Sequence, residues 1–147
     1  MSTTPITILL AEDDPEDSYL IGEALSESRI ANKLMVVENG EQLLDYLYMR
    51  GAYADPEVWP RPGLILLDLN MPLKDGREVL QEIKSDPELR RIPIVVLTTS
   101  QAEEDKLRSY DLGVSGYITK PVSFNGLLDA MKAVGRYWLQ VVDLPPD

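Results

Sequence analysis

Short apolar runs alternate along this chain with segments of helical spacing. Ile6 to Ala11 (ITILLA) is a run of strand length, and Asp14-Pro15 after it signals a helix start, with an acceptor at the cap and proline at the first helical position. Leu20, Ile21, Ala24 and Leu25 recur at helical spacing as far as Ser28. Lys33 to Glu38 (KLMVVE) reads as a second strand, closed by a turn at Asn39-Gly40. Leu43, Leu44, Leu47 and Tyr48 mark a second helix ending near Gly51. A longer connection, Gly51 to Gly63, contains three prolines and Trp59 and leads into Leu64 to Leu67 (LILL), a third strand apolar on both faces. A third helix follows Asp75-Gly76 and carries Val79, Leu80 and Ile83; Asp86-Pro87 ends it, because proline cannot continue the hydrogen-bond ladder. Pro93 to Thr98 forms a fourth strand, Ala102 to Leu112 a charged amphipathic helix stopped by Gly113, and Gly116 to Thr119 a fifth strand. Ser123 caps a last helix, in which Phe124, Leu127, Leu128, Met131, Val134 and Trp138 share one face. Five strands alternating with five helices predict an α/β fold, a parallel sheet covered by helices on both faces.

Length and composition narrow the function. At 147 residues, with 44% hydrophobic and 27% charged positions, the chain fits one soluble globular domain and leaves no room for a second. Its 25 acidic and 14 basic residues give a formal charge of -11, a field that repels nucleic acid and anionic membranes, so direct DNA binding is not expected. The N-terminus lacks a signal-peptide pattern and no apolar run is long enough to span a bilayer, which makes a cytoplasmic protein the expectation. The absence of cysteine and histidine removes thiolate and imidazole chemistry. What remains is carboxylates, hydroxyls, amides and lysine.

Those groups fall at the carboxyl ends of the predicted strands, where open parallel sheets gather their functional residues. Strand one ends in Glu12, Asp13 and Asp14, strand three in Asp68, strand four in Thr98 and Thr99, and strand five in Lys120-Pro121. Singly, each has a plain alternative: Asp14 as a helix cap, Asp68 as a turn former, Thr98 as an ordinary strand end, Lys120 as a surface lysine. Jointly, they make a reactive constellation. Acids at the ends of adjacent central strands repel one another unless a cation offsets them, and an all-oxygen donor set suits Mg2+. An aspartate carboxylate beside such an ion can accept a phosphoryl group, with a lysine and a hydroxyl stabilising the transferring oxygens. Asp68, Lys120 and Thr98 fit those parts.

The motifs ILLAEDDPED, LILLDLNMPLKDG, IPIVVLTTS and GYITKPV together resemble the receiver domain of bacterial response regulators, over Ile6 to about Leu139. The resemblance implies a flavodoxin-like, doubly wound sheet of order 2-1-3-4-5 and a single receiver domain over 1–147, with a core of about 6–139 and a tail over 140–147. It implies Asp68 as phosphoacceptor, Glu12, Asp13 and Asp68 with the Asn70 carbonyl as Mg2+ ligands, and Thr98 and Tyr117 as a switch pair. It further implies a cis peptide at Lys120-Pro121. Glu12 departs from the more frequent Asp of the family, leaving its reach to the metal open between direct and water-mediated. The long Gly51 to Gly63 connection, IKSDPELRRIP, LTTSQAEEDKLRSYDLG and the tail RYWLQVVDLPP are similar to the small stand-alone regulators paired with bacterial phytochromes, implying a bacteriophytochrome sensor histidine kinase as donor.

The expected product is a signalling phosphoprotein that catalyses only its own phosphorylation and dephosphorylation. A homodimer is expected through the fourth helix, fifth strand, fifth helix and tail, with Tyr110, Tyr117, Tyr137 and Trp138 as interface anchors. A haloacid dehalogenase-like phosphatase is the competing reading; it needs an acid two residues beyond the nucleophile, and Asn70 stands there. A nucleotide or flavin binder is disfavoured by the lack of a glycine-rich phosphate loop.

Overall fold

The computed structural model describes residues 7–27, 33–71, 76–109, 113–120, 123 and 125–126. Five strands, β1 (Thr7–Ala11), β2 (Lys33–Val37), β3 (Pro62–Asp68), β4 (Ile94–Thr98) and β5 (Gly116–Thr119), form one parallel sheet in the order β2-β1-β3-β4-β5. Helices α1 (Pro15–Glu27), α2 (Gly40–Leu47), α3 (Gly76–Ser85) and α4 (Gln101–Ser109) connect them. Of the fifth predicted helix only residues 125–126 are described, and they are helical; Ser123 Oγ accepts from the Gly126 N–H at 3.0 Å, as a capping hydroxyl does.

Alternation along the strands divides the core in two. Leu9, Ala11, Ile65, Leu67, Ile94 and Val96 point to the face covered by α2 and α3, joined there by Leu43, Leu47, Val79, Leu80, Ile83 and Leu107. Ile8, Leu10, Leu64, Leu66, Val95, Leu97 and Ile118 point to the opposite face, against Ile21, Ala24 and Leu25 of α1. The three inner strands are buried on both faces, which is why they read as continuous apolar runs rather than as alternating ones. Burying each such side chain contributes about 1.5–3 kcal/mol, and this fixes the strand ends that carry the polar groups.

Local chemistry sets the element boundaries. Asp14 caps α1 as expected, its Oδ1 accepting from the Glu16 N–H at 2.8 Å. Asn39-Gly40 is not a free turn: Asn39 caps α2 through the Gln42 N–H, and the Gln42 side chain accepts in return from the Glu38 N–H, each at 2.8 Å. Ser100 caps α4 through the Glu103 N–H at 3.1 Å, so that helix starts one residue before the predicted Ala102. Asp86 ends α3 and accepts from the Glu88 and Leu89 N–H groups, which hold its carboxyl below the ordinary range and open a 3-10 turn at Leu89–Arg91.

The long connection before β3 is anchored by aromatics. Tyr46, Tyr53 and Trp59 pack with ring centroids 5.0–6.0 Å apart, and the Tyr46 hydroxyl donates to the Pro60 carbonyl at 2.7 Å. Burial, with Tyr53 alongside, pushes the Tyr46 phenol up to about 12. Proline at the first position of β3 loses no ladder donor there.

Gly76, the first residue of α3, lies against the backbone just beyond Asp68. Its N–H donates to the Leu69 carbonyl at 3.2 Å, and a Cβ built on it would fall 2.6 Å from Leu69 Cα. Only glycine permits that approach. Gly76→Ala should therefore lower the stability by about 1–3 kcal/mol in urea unfolding and displace the Asp68–Asn70 segment, read as shifted amide resonances there. An unchanged midpoint and unchanged resonances would show that Leu69 gives way without cost.

Candidate functional site

The register of the sheet brings the polar strand ends to one edge. Ala11 pairs with Leu67, Asp68 with Leu97, and Thr98 with Thr119, so Glu12, Asp68, Thr98 and Lys120 emerge at neighbouring ends of β1, β3, β4 and β5. Two backbone bonds fix the outgoing chain: the Glu12 N–H donates to the Val37 carbonyl at 2.9 Å, and the Lys120 N–H to the Thr98 carbonyl at 2.7 Å.

At the centre is the Lys120 ammonium. It donates to Asp68 Oδ2 and to Asp17 Oδ2, each at 3.0 Å, and lies 2.6 Å from Glu12 Oε1. The Lys120 side chain is only 15% exposed, so it is a buried participant rather than a surface lysine. Asp68 is buried, and its other oxygen, Oδ1, accepts from the Asn70 N–H at 3.0 Å. Glu12 is buried as well; Oε2 accepts from the Asp14 N–H at 3.3 Å, while Oε1 faces the Lys120 ammonium.

Burial pushes the Glu12 carboxyl up to about 7, with the Asp68 charge adding to the rise and Lys120 opposing it. Burial alone would lower the Lys120 ammonium; the carboxylates of Glu12, Asp68 and Asp17 outweigh it and hold the ammonium above its ordinary value. One cation therefore serves three nearby acids, and the exposed Asp13 adds a fourth carboxylate at the same edge.

The arrangement suits a hard cation. Carboxylate oxygens of Glu12, Asp13 and Asp68 converge within 4.8 Å of one another, a donor set of oxygens alone. Thr98 is fully buried, and among the described residues its Oγ1 has no hydrogen-bond partner, a state costing about 1–3 kcal/mol that a phosphoryl oxygen could relieve.

The structure thus brings together Glu12, Asp13, Asp68 and Lys120, and puts Thr98 on the adjoining strand end and Asn70 two residues past Asp68. Tyr117 lies away from them on β5, half-buried, with the Arg108 guanidinium 4.4 Å over its ring. The Lys120-Pro121 peptide and Tyr110, Tyr137 and Trp138 lie outside the described residues. Asp17 is a neighbour of these groups that the sequence did not single out. It is 103 positions from Lys120, and its only signal was a place one helical turn beyond the Asp14 cap, near the strand ends.

Comparison with known proteins agrees with this geometry. Residues 8–132 match the response regulator receiver domain. Response regulator Rcp1 of Synechocystis sp. is 46% identical over 144 residues, covering 98% of this chain and 96% of that protein. Its crystal structure in the Mn2+-bound form superposes with a TM-score of 0.74 at 47% identity, covering 96% of this chain and 99% of that one. The bacteriophytochrome response regulator RtBRR aligns at a TM-score of 0.88 and 43% identity over 97% of this chain and 86% of its own. The phosphorylated cyanobacterial phytochrome response regulator RcpA aligns at 0.74 and 47%, over 92% and 94%. The haloacid dehalogenase alternative finds no support among these matches. Among the described residues no helix is long and apolar enough to cross a membrane. With the sheet order, the acid edge and near full-length relatives all in accord, the chain belongs to the response regulator receiver domain family.

Proposed function

We propose that this receiver takes a phosphoryl group from a sensor histidine kinase onto Asp68, in a reaction supported by Mg2+. The observation that carries the proposal is the buried Asp68 carboxylate with the Lys120 ammonium at 3.0 Å, beside two further carboxylates at the same edge. A receiver implies a histidine kinase as partner, and this chain has no histidine of its own. That the kinase is a bacteriophytochrome is supported by the relatives named as phytochrome and bacteriophytochrome response regulators.

In this scheme an Asp68 oxygen attacks phosphorus, an O–P bond forms, and the P–N bond of the donor phosphohistidine breaks, its electron pair returning to the imidazole nitrogen. Lys120 balances charge on the phosphoryl oxygens, and the Thr98 hydroxyl supplies a donor to one of them. Glu12, Asp13, Asp68 and the Asn70 carbonyl would hold the Mg2+, which when bound neutralises and orients phosphoryl oxygens. The Mn2+-bound form of Rcp1 supports divalent binding at such an edge. Thr98 and Tyr117 would report the modification to the α4 and β5 face. That face, with the expected tail, would carry a homodimer; Glu104 and Arg108, paired at 2.9 Å along α4, supply a mixed-sign surface there.

Glu12 makes the metal-free site sensitive to pH. Its folded carboxyl titrates near 7 against an ordinary 4.5, so the folded state holds a proton that the unfolded chain has released. Glu12's stabilising contribution is complete below about 4.5 and is lost as pH rises through about 7. Without histidine, few other groups titrate in that window.

Three outcomes follow from this scheme. Acetyl phosphate with Mg2+ should label wild type and leave Asp68→Asn unlabelled; equal labelling of the two would remove Asp68 from its role. The melting temperature of metal-free protein should fall by several degrees (roughly 2–4 °C per kcal/mol) between pH 5 and 8, more flatly in Glu12→Gln, and Mg2+ should restore it most at pH 8. A wild-type melting temperature that is flat over that range would count against a buried, proton-holding Glu12. Deleting the chain from Val141 onward should shift sedimentation toward monomer without loss of Asp68 labelling, and a wild type already monomeric at high concentration would exclude the dimer.

A further inference from the structure

We propose that Asp17 is a positioning residue for phosphoryl transfer: it holds the Lys120 ammonium in place beside Asp68 throughout the reaction. The inference rests on the reading of Asp68 as phosphoacceptor and adds a residue that this reading does not require.

An ammonium has three protons, and Lys120 meets three carboxylates: Glu12 at 2.6 Å, Asp17 at 3.0 Å and Asp68 at 3.0 Å. Two of these have other duties. Glu12 and Asp68 belong to the set of oxygens, with Asp13, that converge within 4.8 Å and would share a bound cation. An ion held there would draw on the same oxygens that face the ammonium. When Asp68 takes the phosphoryl group, one of its oxygens forms the O–P bond and the negative charge moves from the carboxylate to the phosphoryl oxygens, as the donor bond breaks and its electron pair leaves with the donor, so the ammonium has to shift its hold from Asp68 to those oxygens. Asp17 is outside that converging set, so its charge is the same before metal, after metal and after transfer.

The helix reading of Asp17 is weaker. An acid in the first turn of α1 complements the helix dipole, but Glu16 is already in that turn and Asp14 already caps it. The Asp17 carboxylate reaches across to a residue 103 positions away. Its backbone is fixed in a 13-residue helix whose Ile21, Ala24 and Leu25 pack on the sheet, so it is a rigid post for a side chain with four flexible bonds. Pinning that chain removes rotamer freedom before the phosphoryl group arrives, which is how positioning residues raise rates.

The test combines phosphorylation kinetics with a measurement on the unmodified protein. With radiolabelled acetyl phosphate, Asp17→Asn should lower the maximal labelling rate about tenfold, with the Mg2+ concentration for half-maximal rate moving less than about twofold; Asp17→Glu should recover much of the rate. In a Lys120→Ala background, Asp17→Asn should cost less than about twofold, since the group it positions is gone. In metal-free, unphosphorylated protein the Lys120 ammonium resonance in 15N NMR should show faster proton exchange in Asp17→Asn than in wild type, with thermal unfolding confirming that the variant is folded. A wild-type labelling rate in Asp17→Asn overturns the inference, as does an equal loss in the Lys120→Ala background, or a Mg2+ shift large enough to account for the loss. If the wild type itself fails to label on Asp68, the reading beneath falls and takes the inference with it; labelling that persists while Asp17→Asn is silent in every assay removes the inference alone.

Discussion

Lys120 is one ammonium among four acids at the edge of a sheet that buries two of them. A carboxylate taken from water costs several kcal/mol unless it is paired, and Glu12 and Asp68 both lie in that position. The ammonium does not compensate Glu12 in full, and Glu12 answers by binding a proton more tightly than an ordinary acid. Incomplete compensation of this kind is what suits an edge to a divalent ion and to the charge of a phosphoryl group, the chemistry proposed for it.

Everything else serves to keep that concentration of charge from relaxing. The inner strands are pinned on both faces by aliphatic side chains, so their ends cannot move apart to dilute the repulsion. Backbone bonds from Glu12 to Val37 and from Lys120 to Thr98 tie the exits of β1 and β5 to their neighbours. Gly76 lets α3 close against Leu69, which restrains the chain immediately beyond Asp68. The Thr98 hydroxyl, unpaired among the described residues, is a stability cost at the same edge, of the kind that collects where a ligand is awaited.

The second face of the molecule is organised by different forces. On α4 the exposed Arg108 pairs with the half-buried Glu104, and its guanidinium also lies over the Tyr117 ring. Tyr117 is one residue from Ile118, whose side chain is in the core, and three from Lys120. The strand that carries Lys120 thus also carries Tyr117, beside the charged side chains of α4.

Much of this was legible in the sequence. The strands were, because burial on both faces demands unbroken apolar runs, and so was the placing of Asp68, Thr98 and Lys120, because a strand's last residue is set by where its apolar run stops. The caps at Asp14 and Ser123 followed from side-chain chemistry within a few positions. Asn39-Gly40 did not: the same two residues suit a turn or a helix cap, and only the reciprocal bond with Gln42 decided it. The folding of the long connection onto Tyr46 depended on Tyr53 and Trp59 meeting in space, which no local pattern announces. Asp17 is the sharpest case. Its sequence neighbourhood explains an acid in the first turn of a helix, and sequence by itself determined no more than that. Its ion pair with Lys120 joins the first helix to the end of the fifth strand, and only the packing of α1 on the sheet brought those two charges to 3.0 Å, because charge acts through distance in space and not along the chain.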